Sequence, residues 1–313
     1  MHLTQRGIFL FTDGMGARAV AATAQHIEYL GYGAVWFPEA VGREPILASS
    51  FILANTTKLI AATGIVNIYS RDPMACAMMQ QTVAEQSRGR FLLGLGVSHT
   101  LFVNLRGHDY GKPVATMRAY LNAIKDSHKS ISVTKNLLVD GMETQPVTTT
   151  DNGTIVTTAG EMPIVLAALG PKMTALAGSA TQGAHPANST PEHTAKARAI
   201  MGPGPWLAPM QRVCLTTNAS VARAAGRQMM KLYLGLPNYL NLWRDSGFND
   251  ADFEHGGSDR LIDAMLAWGD EKTVNKRIQE HLDAGATHVA IVPVNPDNQS
   301  VPCFRAIDAL AGG

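Results

Sequence analysis

Two apolar runs with one helix between them, within residues 58–112, restrict the fold of this chain more than any other feature. Lys58-Leu-Ile-Ala-Ala-Thr-Gly-Ile-Val66 is almost continuously apolar, the pattern of a strand buried on both faces of a parallel sheet. Asp72-Pro73 supplies an N-cap and a first-turn proline, good helix formers follow, and Gly89 ends the helix. Arg90-Phe-Leu-Leu-Gly-Leu-Gly96 is a second buried strand. Two such strands joined by a helix pair in parallel through a right-handed crossover, so the segment is a βαβ unit.

The alternation continues along the chain. Strands are expected at 6–12, 34–37, 59–66, 91–96, 163–168, 183–185, 211–215 and 288–293. Helices are expected at 17–30, 45–55, 74–87, 112–128, 171–180, 191–201, 219–233 and 273–284, the last helix of the series. Eight strands alternating with helices indicate one (β/α)8 TIM-barrel domain over residues 1–313, since such barrels run from about 200 to over 400 residues. A doubly wound sheet is disfavoured because Phe11-Thr-Asp-Gly-Met-Gly16, after the first strand, lacks G-x-G-x-x-G spacing. Residues 130–161, with turn signals at Asp140-Gly141 and Asp151-Asn-Gly153, read as a hairpin-like excursion between the fourth barrel helix and the fifth strand. Residues 237–268 read as a mainly helical insertion before the last helix. Its Leu240, Trp243, Phe248, Leu261, Met265, Leu266 and Trp268 could cover the barrel or a second subunit.

Composition excludes several classes. With 313 residues, 46% of them hydrophobic, and a net charge of +1, the chain is an ordinary globular protein without the clustered cations of a nucleic-acid surface. No apolar run reaches the roughly 20 residues of a membrane span. Residues 1–14 lack the basic start and small-residue site of a signal peptide, so the cytoplasm is the expected location. Cys76, Cys214 and Cys303 are three, widely spaced and without a CxxC pair, and are expected as buried thiols.

In a barrel, the carboxyl ends of the strands build the site. Those ends carry Asp13, Glu39, Asn67, Ser98, His99, Gly170, Lys172 and His185. Glu39 follows Trp36-Phe37-Pro38, where apolar surroundings favour a general acid, unless Arg43 pairs with it. Asp13 could serve the site or cap the helix starting near Ala17. His99, His108 and Asp109 lack a recognised metal motif, and no metal is expected. Leu169-Gly-Pro-Lys172 turns into a helix whose free N–H groups favour an anion such as phosphate. Gly94 and Gly96 either admit a flat ligand or mark tight packing.

Several motifs together resemble the luciferase-like monooxygenase superfamily, and within it the oxidoreductases that use the deazaflavin coenzyme F420. They are Phe9-Leu-Phe-Thr-Asp-Gly14, Pro38-Glu-Ala-Val-Gly-Arg-Glu-Pro45, Ala62-Thr-Gly-Ile-Val-Asn-Ile-Tyr69, Arg71-Asp-Pro-Met74, Arg90-Phe-Leu-Leu-Gly-Leu-Gly-Val-Ser-His99, Gly183-Ala-His-Pro186 and Leu236-Pro-Asn-Tyr239. The resemblance implies a tricyclic cofactor across the strand ends that exchanges a hydride with a small organic substrate. It also implies a non-prolyl cis peptide between Gly64 and Ile65, behind the ring. Related deazaflavin dehydrogenases present an Asp-His pair where this chain has Pro38-Glu39, which argues against a sugar-phosphate substrate and leaves Glu39 as the catalytic candidate. By the same likeness Asn67 and Ser98 would bond the ring or its polyol chain, and Gly170 and Lys172 the phosphate. Arg71 or Lys112 would meet the acidic tail, and Asp13, Gly96, His99 and His185 would complete the cofactor pocket. A homodimer is implied as well. Two other readings stand beside this one: an FMN-dependent monooxygenase of the same superfamily, using reduced flavin and oxygen, and a cofactor-free barrel acting as a binding module.

Overall fold

A computed structural model describes residues 1–139 and 162–311. Strands and helices alternate from the start: β1 (Arg6–Phe9), α1 (Ala17–Tyr29), β2 (Ala34–Phe37), α2 (Pro45–Ala54), β3 (Ile60–Thr63), β4 (Val66–Asn67), α3 (Pro73–Gln86), β5 (Phe91–Gly96), α4 (Thr100–Leu105) and α5 (Pro113–Val139). After the interval come β6 (Ile164–Leu166), α6 (Pro171–Ala180), β7 (Gly183–Ala184), α7 (Pro191–Met201), β8 (Trp206–Leu207), β9 (Met210–Leu215), α8 (Ala219–Met230) and α9 (Pro237–Asp245). The chain finishes with α10 (Asp259–Met265), β10 (Leu266–Gly269), α11 (Glu271–Asp283), β11 (Val289–Pro293) and α12 (Phe304–Ala309). Proline opens six of the described helices, α2, α3, α5, α6, α7 and α9, where its missing N–H removes a donor that would otherwise lack a partner.

All neighbouring strands are parallel, in the order β10-β9-β11-β1-β2-β3-β5-β6-β7-β8, with β4 on β5. The ring closes because β8 runs through Ala208 and Pro209 into β9, while the Met210 N–H donates to the Pro186 carbonyl at 2.8 Å, just beyond β7. Counting β3 with β4 and β8 with β9 as single staves gives the eight positions of a (β/α)8 barrel, and β10 is an extra strand on the outer half of β9.

The differences from expectation have local causes. The expected 59–66 strand divides at Thr63, where an extra residue interrupts the ladder. β8 is two residues long in a Gly- and Pro-rich stretch with no periodicity to mark it. β10 ends the expected helical insertion: Leu266, Ala267 and Trp268 extend into the sheet instead of continuing α10. Helix α5 passes the expected end at His128 and takes in the first part of the expected excursion; the rest, at 140–161, lies outside the described residues. Helix α12 follows the helix expected to be last.

Alternate strand residues face opposite ways, as a pleat requires. Ile8, Val35, Ala61, Leu93, Leu166 and Ile291 pack outward against the helices. Phe9, Trp36, Ala62, Leu92, Val165, Met210 and Val292 fill the barrel. Two histidines complete that interior. His185 stacks on Trp36, with ring centroids 4.3 Å apart, and its Nδ1–H donates to the Ala208 carbonyl at 2.7 Å. His288 accepts the indole N–H of Trp36 at 2.9 Å. Burial pushes both rings down to about 4, so both are neutral. Outside the barrel, His281 lies between Thr194 and Gln211, pushed down by burial to about 3, and His193 falls to about 4 for the same reason.

These rings bind protons less readily folded than unfolded, where the ordinary value is 6.5. The unfolded chain therefore takes up more protons as pH falls, and stability present above about 6.5 is lost progressively between about 6.5 and 4. Each ring contributes up to about 1.4 kcal/mol per pH unit in that window. Urea unfolding at several pH values is expected to show the decline; a stability flat from pH 7 to pH 4 would contradict it.

Candidate active site

The β3–β5 ladder stops at Ala62 opposite Leu92 and resumes on β4 at Val66 opposite Leu95. Four steps on one side face three on the other, so one residue is extra and the chain bulges at the barrel mouth. The Gly64–Ile65 peptide within it is cis, as the family likeness implies. Two glycines of β5 make room. A Cβ at Gly94 would stand 1.8 Å from the Thr63 carbonyl oxygen, and one at Gly96 would stand 2.5 Å from Ile65 Cδ1. Gly94 and Gly96 are therefore packing glycines: Ile65 occupies the space that a ligand on Gly96 would need.

Glu39 fastens this bulge to β2. Its backbone N–H donates to the Ile65 carbonyl at 3.1 Å, and its Oε2 accepts from the Asn67 N–H and from Arg71, each at 2.8 Å. Arg106 approaches Oε1 at 3.8 Å. Arg71 also reaches Glu44 at 2.5 Å. Burial pushes the Arg71 guanidinium down, but the two carboxylates outweigh it and hold it above its usual value. The expected pairing of Glu39 with Arg43 does not form, because Arg43 donates to the Thr12 and Met15 carbonyls. Every partner of the Glu39 carboxylate is a hydrogen-bond donor. The geometry supports a positioning role in place of the proton transfer expected from the sequence.

The other expected residues divide. Asp13 does not cap α1, whose N-cap is Gly16; its Oδ2 accepts from the Val41 and Gly42 N–H groups and pins the β2–α2 loop. Asn67 spends its side-chain carbonyl on the Tyr69 N–H, so only its amide end can turn to a ligand. Ser98 has φ of 57° and turns the chain out of β5. His99 stands against Phe102 and Tyr239, lowered by burial against an opposing bond from Asn238, while His108 lies apart beside Tyr69. His185 is a floor residue beneath Gly64, with no opening to solvent. Arg71 is committed to two carboxylates and is not free for an acidic tail.

Lys172 and Lys112 do come together. With Arg118, Asn122 and the first turn of α5 they line an open cleft of about 610 Å³ on the carboxyl side of β5 and β6. Gly170 offers α6 no side-chain cap, so the positive end of that helix faces the same rim. Arg118 escaped the sequence reading because nothing distinguishes it from an ordinary surface cation. Arg212 escaped it too, although a charged residue inside the apolar strand 210–215 was a visible signal.

A barrel with a bulged third strand, a basic rim and an occluded histidine floor belongs to a defined class. The chain is a member of the luciferase-like monooxygenase family, whose sequence profile matches residues 2–288. It is similar to a 5,10-methylenetetrahydromethanopterin reductase of Methanolobus tindarius, 25% identical over 308 residues, 90% of this chain and 92% of that protein. Its fold matches an F420-dependent secondary alcohol dehydrogenase in complex with an F420–acetone adduct, TM-score 0.67 and 16% identity over 99% of this chain and 98% of that one. It also matches the oxygenating constituent of 3,6-diketocamphane monooxygenase of Pseudomonas putida, in complex with FMN, with TM-score 0.64 and 14% identity over 99% and 97%.

Replacing Glu39 by Gln keeps an acceptor for Asn67 but breaks the buried pair with Arg71. Loss of one member of such a pair costs about 3 kcal/mol or more. Glu39→Gln is expected to melt several degrees lower and to leave the shape of the pH–activity profile unchanged. Selective loss of one limb of that profile, at unchanged stability, would restore Glu39 as a general acid.

Proposed function

We propose that this protein is an F420-dependent oxidoreductase that moves a hydride between the deazaflavin and a small organic substrate. The basic cleft is the observation that carries the reading. Lys112, Arg118 and Lys172, beside the uncapped start of α6, suit an extended polyanion, a phosphate continued by an acidic tail. FMN ends at one phosphate and needs fewer cations. When bound, the deazaflavin supplies a hydride-accepting and hydride-donating carbon in its central ring. The chain's residues supply the rest. Lys172 and the α6 N-terminus hold the phosphate, and Lys112 and Arg118 hold the tail. Ile65 backs the ring, fixed in place by Gly96 below it and by the Glu39–Ile65 backbone bond. The Asn67 amide and Ser98 border it. Such fixed support orients the two reacting carbons, which is the larger part of what a protein adds to hydride transfer.

A cytoplasmic location and a homodimer belong to the same proposal. In the 237–268 segment Leu240, Trp243, Phe248, Leu261 and Met265 pack on one another as a separate apolar cluster. Exposed apolar side chains lie instead on α2 and α3: Leu47, Phe51, Met74 and Met78. A second copy of the chain seated there would cover them. Light scattering is expected to give a dimer mass that Leu47→Glu combined with Met78→Glu reduces to a monomer; a wild-type monomer would sink the interface.

Titration of F420 and of FMN into the purified protein, followed by quenching of cofactor fluorescence, tests the cofactor. F420 is expected to bind more tightly, and Lys172→Ala to weaken both ligands about tenfold, the loss of one charge-assisted contact. Arg118→Ala is expected to weaken F420 alone. Equal effects on both ligands, or tighter FMN binding, would favour the monooxygenase reading.

A further inference from the structure

Arg212 is the one charged side chain buried in the apolar strand β9, on the side that Met210 and Cys214 turn into the barrel. It is 2% exposed. Its Nη1 donates to Asn188 Oδ1, and the guanidinium lies over the Tyr233 ring, 5.1 Å from the centroid. Among the described residues no carboxylate pairs with it, and its Nε–H and Nη2 groups have no partner. These two lie along one edge of the planar group, the edge that donates two parallel hydrogen bonds to a carboxylate. Left empty, an edge of buried charged donors is costly; filled, it gives strong, oriented bonds.

The surroundings fit such a guest. Asn188, held at φ 53° and tied through its carbonyl to the Trp243 indole, has an unpartnered Nδ2. The Tyr239 hydroxyl lies close to Arg212 and Asn188, and His99, whose Nδ1 is unpartnered, stands against the Tyr239 ring. Donors thus gather under α9 where β5, β7 and β9 end. We propose that this cluster is a carboxylate subsite, with the Nε/Nη2 edge of Arg212 gripping the acid group of the substrate. Given the oxidoreductase reading, on which this rests, the substrate is an organic acid whose carboxylate is anchored at Arg212 while another carbon meets the ring.

The test compares acetate with acetamide and benzoate with benzamide, by calorimetry and thermal melting at constant ionic strength, with and without F420. At least one carboxylate is expected to bind about tenfold or more tightly than its amide. Arg212→Met is expected to erase that preference while F420 still binds, and Arg212→Lys to keep only part of it, since an ammonium lacks the fork. Asn188→Asp supplies a resident carboxylate and is expected to raise the melting temperature and abolish acetate binding. No carboxylate preference in the wild type would overturn the proposal. So would a preference that survives Arg212→Met, or loss of F420 affinity in that variant without any carboxylate preference, which would assign Arg212 to the cofactor. If carboxylates are preferred but F420 does not bind, the subsite stands and the oxidoreductase reading falls.

Discussion

One extra residue in the third stave, between the points opposite Leu92 and Leu95, shapes the mouth of this barrel. A regular ladder would carry Ile65 along the barrel wall. The bulge instead lays it across β5, and this is possible because β5 has hydrogen atoms where other strands have side chains, at Gly94 and Gly96. Thr63 closes the gap by bonding both the N–H and the carbonyl of Gly94 through one hydroxyl. Glu39 ties the far side to β2. The support for a flat ligand is thus made by sequence choices on three strands, and loosening any of them would move Ile65.

Charge in this protein is sorted by depth. Glu39, Arg71 and Glu44 form a paired group whose desolvation is offset by their mutual contacts and by the Asn67 and Leu47 N–H groups, with Arg106 nearby. It ties the bulge to β2 and to the start of α2. Lys112, Arg118 and Lys172 stay solvated, so an anion could reach them without an internal pair first breaking, and salt would screen them. Arg212 belongs to neither group: it is as deep as Arg71 but lacks a carboxylate. A net charge of +1 conceals all three arrangements.

What the sequence made legible follows the range of the interactions involved. Strands 34–37 and 91–96 and the helices at 171–180 and 191–201 have the bounds read from the sequence, because apolar runs, Gly-Pro and Thr-Pro starts act within a few residues. Trp206 and Leu207 form a strand only because β7 already lies beside them, and no local pattern encodes a two-residue pairing. The partner of Glu39 was misjudged for the same reason. Arg43 is four residues away and Arg71 is thirty-two, but the bulge turns the chain so that the distant arginine arrives first. His185 stands at a strand end as expected, and its ring is buried beside Phe9 and Trp36 with Nε2 toward Gly64.

That buried histidine underlies the bulge. Phe9, Trp36 and His185 stack as a layer directly below Gly64, so close that a Cβ there would lie 2.7 Å from both Phe9 and His185. Nothing can enter below the bulge, and a ligand must lie on it. Neutral imidazoles suit this position better than another aromatic. Each spends one nitrogen on a backbone carbonyl of a neighbouring stave, Ala208 for His185 and Thr4 for His288, and so locks the floor to the wall. One nitrogen of each ring registers the floor against the wall, the Nε2 of His185 has no partner, and burial keeps both rings uncharged. Under the proposed function, a flat cofactor resting on such a floor would have one face sealed and would leave the other to substrate, on the side of α9 and Arg212.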